Sequence, residues 1–416
     1  MKIKSLVIIK VCFVALTALG QNSNEKKLSD YVWDLSSIYS DDKDWENEKE
    51  LIESRIISIS ALNKTIGNRH EFLTLLNEVT DLRIRVGKMS VYGFLVSTVK
   101  ETSEKVIRQH RIANSLEAKV EEAVAFLPER ILNIRKDSLK KWIDHLDFDT
   151  HKRYITDVTE NENHYLKGKA SRINNSLARW AQQSSEIYNE LSLSGIKWPV
   201  SEDSTEINFG SYRYFYSVSE ELNRKINLSK FYNRLKDFEN VYGNLLIKRM
   251  EADHSMATNE NYKNGIDAIF SKRDGYSDAV IKSMIKVTRD NLDVFYELFK
   301  LMIHFADSKN PSYSDLYYSR SKFNLNTSYP IQESIDRAIQ LLSPLGPHYI
   351  KRLNYRISDN RMHLPLLPEK SGGAFAVYPS VGGMKAFMVM PYYGSYATSS
   401  ALTGGLALLM AYTDMP

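Results

Sequence analysis

Apolar residues spaced three and four apart, in one long segment after another, constrain the fold of this 416-residue chain more than anything else in it. Phe72, Leu75, Leu76, Val79, Leu82 and Val86 fall at those steps, which predicts a helix with one stripe facing a core. Ile281, Ile285, Leu292, Phe295, Phe299 and Met302 repeat the pattern and predict a second core-facing stripe. Further helical stretches are expected near residues 101–124, 168–193 and 219–252. Pro128, Pro199, Pro311, Pro344 and Pro347 punctuate them, since proline lacks the amide hydrogen that a helix interior needs. The expected fold class is mainly α and multi-helical.

One region breaks the period. Ala374 to Tyr378 and Ala386 to Met390 are short, β-prone runs joined by a glycine-rich turn, Pro379 to Met384. They predict a β-hairpin within a small sheet near residues 371–394. Gly195, Pro199 and the polar run SEDSTE suggest a boundary near residues 195–210. The domain expectation is therefore a helical domain over 21–200 and a second unit over 201–416.

Residues 1–20 read as a secretory signal. Lys2 and Lys4 precede a largely apolar stretch from Leu6 to Leu19, and Ala18-Leu19-Gly20 offers small residues for cleavage before Gln21. Export to the periplasm or medium is expected, with an uncleaved anchor as the alternative. The apolar stretch is shorter than the ~20 residues that span a bilayer. Removing the segment also removes Cys12, the one cysteine, so the mature chain would hold neither disulfides nor thiolate ligands. Lys2, Lys4 and Lys10 carry three of the four net positive charges. The remainder has no electrostatic footprint for nucleic acid. With 43% hydrophobic and 25% charged residues the composition is that of an ordinary globular protein.

The side chains that could carry chemistry are scattered. The nine histidines are His70, His110, His145, His151, His164, His254, His304, His348 and His363, and no two are four apart. His70-Glu71 is half of a His-Glu-x-x-His motif, but Thr74 stands where the second histidine belongs; a helix start is the simpler reading. Ser371 lies in Lys-Ser-Gly-Gly rather than in a Gly-x-Ser-x-Gly elbow. Glu121-Glu122 reads as a solvated helix face, and His254 as a polar helix residue.

Several landmarks, in order, carry a resemblance. They are Trp33-Asp34-Leu35-Ser36-Ser37-Ile38-Tyr39 with Trp45, Phe126-Leu127-Pro128-Glu129-Arg130-Ile131, Leu345-Gly346-Pro347-His348-Tyr349, and Lys370-Ser371-Gly372-Gly373-Ala374-Phe375. Together they resemble the oligoendopeptidase F family of thimet-oligopeptidase-like zinc metallopeptidases, over nearly the whole mature chain. Trp33, Ile38 and Tyr39 are expected as packing anchors, because large aromatics mainly bury area. Pro128 is expected at a helix start.

The resemblance implies internal cleavage of short, unstructured peptides in an enclosed channel. It also implies zinc, held by a His-Glu-x-x-His helix whose glutamate takes a proton from the metal-bound water. In this chain the aligned register reads Gly404-Gly405-Leu406-Ala407-Leu408, which supplies neither ligand nor base. No catalytic or metal residue is therefore expected here, and no zinc on the chain as written. By resemblance, Gly372, Gly373, Ala374 and Phe375 form a peptide-cleft wall, whose strand edge could pair with extended backbone.

Three readings of the missing motif stand: a truncated or frameshifted peptidase whose 201–416 unit is an incomplete catalytic domain, a non-catalytic exported peptide binder, and an exported helical scaffold. In the third, the apolar run from Ala401 to Ala411 would be free to dock on a partner. That run is too short for stable membrane insertion.

Overall fold

The helices form where the period places them. The computed structural model describes residues 26–62, 66–99, 103–212, 215, 221–306, 310–317, 328–365, 374–377 and 384–413. α1 (Asp42–Ser60), α2 (Arg69–Val99) and α3 (Glu104–Val124) pack together, followed by the shorter α4 (Leu127–Leu132), α5 (Lys136–Ile143) and α6 (Asp149–Glu160). Asp41 caps α1 by accepting from the Asp44 amide at 2.8 Å. Phe72, Leu76, Val79, Leu82 and Val86 of α2 are buried with Trp45, Ile52, Leu116, Val120 and Phe148 in one core. Each such side chain contributes about 1.5–3 kcal/mol of transfer free energy. Pro128 sits in the first turn of α4, where its missing amide hydrogen costs nothing.

α7 (Gly168–Glu190) and α9 (Glu239–Asn259) lie against each other, with α8 (Glu221–Lys236) between them in sequence. The stretch 196–215, read from sequence as a break in the helices, holds a compact aromatic cluster. Trp198 stacks on Phe231 at 5.5 Å, and Tyr212 stacks on the same ring at 4.6 Å. α10 (Gly265–Asp274), α11 (Asp278–Asp290) and α12 (Leu292–Ala306) follow, then α13 (Ile331–Leu342) and α14 (Pro347–Ser358).

The second apolar stripe does not face a core. Ile285, Leu292, Phe295, Phe299 and Met302 are all exposed, and Ile281 is half-buried. The helices form as the period predicts, but these side chains are not enclosed by the described residues.

The sheet is larger than the hairpin. β2 (Phe375–Val377) pairs antiparallel with β3 (Phe387–Val389) in the register Phe375↔Val389 and Val377↔Phe387. β3 also pairs in parallel with β1 (Met362–His363), giving the order β1-β3-β2. Alternation along β3 joins two layers: Phe387 and Val389 pack with Trp33, Leu95 and Val99, while Met388 packs on the opposite face. That opposite face meets α13 and α15 (Tyr396–Thr413), whose Leu402, Leu406, Leu409 and Met410 are buried. The apolar Ala401–Ala411 run is thus a docked helix, not the free segment that the scaffold reading needs.

Candidate functional site

The family-like motifs separated by more than three hundred residues meet around the sheet. Trp33 packs against His363 at 5.2 Å and edge-on to Phe387 at 6.4 Å between ring centroids. The backbone around it is stitched to the same region, since the Asp34 amide donates to Asn360 O at 2.8 Å and the Leu364 amide to Tyr31 O at 3.0 Å. Trp33 and Tyr39 are both buried, as packing anchors should be.

Of the cleft-wall residues expected from sequence, Gly372 and Gly373 lie outside the described residues, as do Ser371 and the turn 378–383. Ala374 is exposed and Phe375 half-buried at the start of β2. Because β3 is central, β2 leaves its far edge unpaired among the described residues. The Phe375 ring lies 5.2 Å from Phe94 of α2, and Phe94 lies 6.5 Å from His110 of α3. Asn114 Nδ2 donates to His110 Nε2 at 3.3 Å, which leaves the proton on Nδ1. Nδ1 is buried with no hydrogen-bond partner among the described residues. Burial pushes the His110 pKa down, so the ring is neutral near pH 7.

α15 carries the register where a zinc helix is expected. Its start is defined by a reciprocal cap: the Ser395 amide donates to Thr398 Oγ1 at 3.1 Å, and the Thr398 amide to Ser395 Oγ at 3.3 Å. Gly394 precedes it at φ +68°, a left-handed conformation that favours glycine. A run of buried hydroxyls then fixes the helix on α13. Ser399 Oγ donates to Ser334 Oγ at 2.8 Å, Ser334 and Tyr392 share a bond at 2.6 Å, and Tyr392 Oη donates to Tyr329 O at 2.7 Å. Burial pushes the Tyr392 phenol up, so it stays protonated and able to donate.

Gly404 and Leu408, four apart, lie on the exposed face of α15. Gly405 faces inward, where an added Cβ would stand 2.5 Å from Met388 Sδ. The helix therefore runs close to β3 at the position where a general base would be needed. Glycine and leucine offer no donor to a metal, so the residues present do not fit zinc. Among the described residues, no group of three or more His, Cys, Asp or Glu side chains could hold a metal ion.

The other candidates have structural roles. Glu71 accepts from the Gly67 amide at 2.8 Å and from Asn68 Nδ2 at 2.7 Å, while Asn68 Oδ1 accepts from the Glu71 amide at 3.0 Å. The His70-Glu71 half-motif is thus a helix start. Glu121 is clamped by Arg83 at 2.8–2.9 Å, and His254 is exposed on α9. Sequence reasoning missed the Arg224–Asp315 pair, in which Arg224 Nη2 donates to Asp315 Oδ1 at 2.6 Å with both side chains almost fully buried. Burial pushes the Asp315 carboxyl up, but Arg224 and Ser312 outweigh it and hold the pKa below the usual carboxylate value. The two residues are 91 apart, and no local pattern announces them.

No family model matches the sequence. Among curated proteins, the oligoendopeptidase F homolog of Borreliella burgdorferi is 20% identical over 341 residues, covering 82% of this chain and 57% of that protein. Group B oligopeptidase PepB of Streptococcus agalactiae is 18% identical over 352 residues, covering 83% and 58%. Among solved structures, oligoendopeptidase F from Enterococcus faecium matches with a TM-score of 0.65 at 17% identity, over 76% of this chain and 60% of that one. PZ peptidase A, solved with an inhibitor, matches at 0.66 and 14% identity, over 87% and 62%. The chain spans less than two thirds of the length of the relatives it matches.

Proposed function

We propose, from the premise that this chain belongs to the oligoendopeptidase F family, that it supplies the peptide-holding part of an oligopeptidase and none of the hydrolytic chemistry. The observation that carries the reading is α15. It lies against β2 and β3, and it presents Gly404 and Leu408 outward where a metallopeptidase of this type requires two histidines. A zinc ion in such a site would polarise the scissile carbonyl and activate water, and among the described residues no set of side chains fits it. What its own residues offer is a strand edge at β2, flanked by the Phe375 and Phe94 rings, against which an extended backbone can pair.

Short unstructured peptides are the proposed ligands, by analogy with the oligopeptidases it resembles. Export through the 1–20 segment belongs to the same proposal, and that segment lies outside the described residues. No helix among the described residues is long and apolar enough to cross a membrane. A helical domain over 21–200 and a second unit over 201–416 belong to the same proposal.

Calorimetry with short extended peptides, together with a quenched-fluorescence cleavage assay in added zinc, tests this directly. Peptide binding without hydrolysis is the expected result. Tight one-to-one zinc binding by this chain, or zinc-dependent cleavage by it alone, would overturn the assignment.

A further inference from the structure

A cavity of about 480 Å³ opens on α3, within the size range of small-ligand sites. Glu104, Ile107, Arg108, Arg111, Ile112 and Ser115 line it. Steps of three, one, three, one and three place all six on one face of the helix. Val106, Gln109, Ala113, Leu116 and Val120 are buried on the other. Ile107 and Ile112 are half-buried, whereas Arg108, Arg111 and Ser115 are exposed. The lining therefore joins apolar side chains to charged donors.

Its charges are not all matched. Arg111 pairs with Glu190 of α7. Glu104 lies in the first turn of α3, where the unbonded amides of the helix start favour a carboxylate. Arg108 makes no ion pair with any described residue, Glu104 included. A guanidinium is a planar fork of donors with no acceptor, so the group that completes it is an anion with two oxygens to share. Glu104 and Glu190 beside it weigh against a dianion such as phosphate, because like charges repel at short range. A singly charged carboxylate fits.

The cavity is also within reach of the β2 edge. The Phe375 ring lies 5.2 Å from Phe94, and Phe94 lies 6.5 Å from His110. His110 is one helical turn from Ile107 on the cavity rim, and such neighbours on a helix surface are ~5–6 Å apart. The whole path is no more than about 18 Å, which an extended chain at ~3.3 Å per residue covers in about five residues.

We infer that this cavity holds a carboxylate of a peptide whose extended backbone pairs along β2. Arg108 takes the two oxygens, and Ile112, one turn on, offers apolar surface to the residue that carries them. The carboxylate is either the C-terminal one or that of an acidic side chain about five residues from the stretch on β2. This inference rests on the peptide-holding reading above, and adds a charge requirement at one end of the ligand.

Calorimetry on the whole chain tests it with three N-acetylated peptides. One is Ala-Phe-Ala-Ala-Ala-Ala with a free C-terminus, one is the same peptide amidated, and one is amidated with glutamate as its last residue. A carboxylate-bearing peptide should bind about tenfold more tightly than the uncharged one, the size of a hydrogen-bonded charge contact. Preference for the free C-terminus identifies the terminal carboxylate, and preference for the amidated glutamate peptide identifies the side chain. Arg108→Gln should abolish the tenfold difference and leave the uncharged peptide unaffected. Arg108 is exposed, so the circular dichroism of the variant should match the parent. Arg153→Gln, at an exposed arginine on α6, should change nothing. Equal affinity for all three peptides, or a preference that survives Arg108→Gln, would overturn the inference. If Phe375→Ala still weakened all three in that case, the peptide-holding reading would stand without it. A preference that is lost in Arg108→Gln yet indifferent to Phe375→Ala would uphold the cavity and move the peptide off β2. No binding of any of the three would reject both.

Discussion

Gly404→Ala and Gly405→Ala, adjacent and chemically identical changes, are expected to move stability in opposite directions. Both replace a helix-interior glycine, which by itself favours alanine by about 1 kcal/mol. At 404 the new methyl meets nothing within 4 Å, so that gain is kept. At 405 it would stand 2.5 Å from Met388 Sδ, on a side chain only 1% exposed between the sheet and α15. Overpacking a filled core costs about 1–3 kcal/mol. The net effect at 405 is then a loss of up to about 2 kcal/mol, and the two variants differ by about 1–3 kcal/mol. In a domain of this size 1 kcal/mol moves the melting midpoint by about 2–4 °C. Thermal melts by circular dichroism should show Gly404→Ala above the parent and Gly405→Ala below it. Repeating Gly405→Ala in a Met388→Ala background removes the obstacle, and there the substitution should become stabilising. If Gly405→Ala matches Gly404→Ala in the parent background, or if the cycle shows coupling below about 0.5 kcal/mol, the close approach of α15 to β3 is wrong.

Three other outcomes follow from the same geometry. Arg224→Ala leaves Asp315 charged and buried, and should cost about 3–5 kcal/mol in urea unfolding; a loss under about 1 kcal/mol would mean the pair is solvated. Burial lowers the pKa of both His110 and His151, so between the unfolded value near 6.5 and the lower folded values the unfolded chain binds more protons. Stability should therefore be full above about pH 6.5 and fall as the pH drops through that window, and urea midpoints at stepped pH, compared with a His110→Gln variant of shallower slope, would show it. Phe375→Ala removes one ring from the β2 edge and should weaken peptide binding by calorimetry about five- to tenfold, within the range of a partly exposed aromatic contact. Unchanged affinity would place the peptide elsewhere.

The helical class was legible because a three-and-four spacing of apolar residues has one economical solution, and α2 realises it residue for residue. The pairing of Phe375–Val377 with Phe387–Val389 was legible for the matching reason, two β-prone runs separated by a glycine-rich stretch of sequence. β1 was not, because Met362–His363 is two residues long and owes its conformation to β3. The absence of zinc ligands and base at 404, 405 and 408 could also be read directly, since side-chain identity alone decides whether a donor exists.

Periodicity says that a helix has an apolar face but not whether anything lies against it. The stripes of α2 and α12 look alike in sequence, yet one is core and the other faces solvent, because only tertiary packing supplies a neighbour. The apolar run from Ala401 to Ala411 shows the converse. Its composition allowed a free docking segment, and the fold seats it on Met388 and α13. Trp33 with His363, and Arg224 with Asp315, meet across hundreds or scores of residues, distances over which no local propensity acts. The sequence by itself determined which helices form and which side chains stand at 404, 405 and 408. Burial, a non-local quantity, decided which face of each element is used.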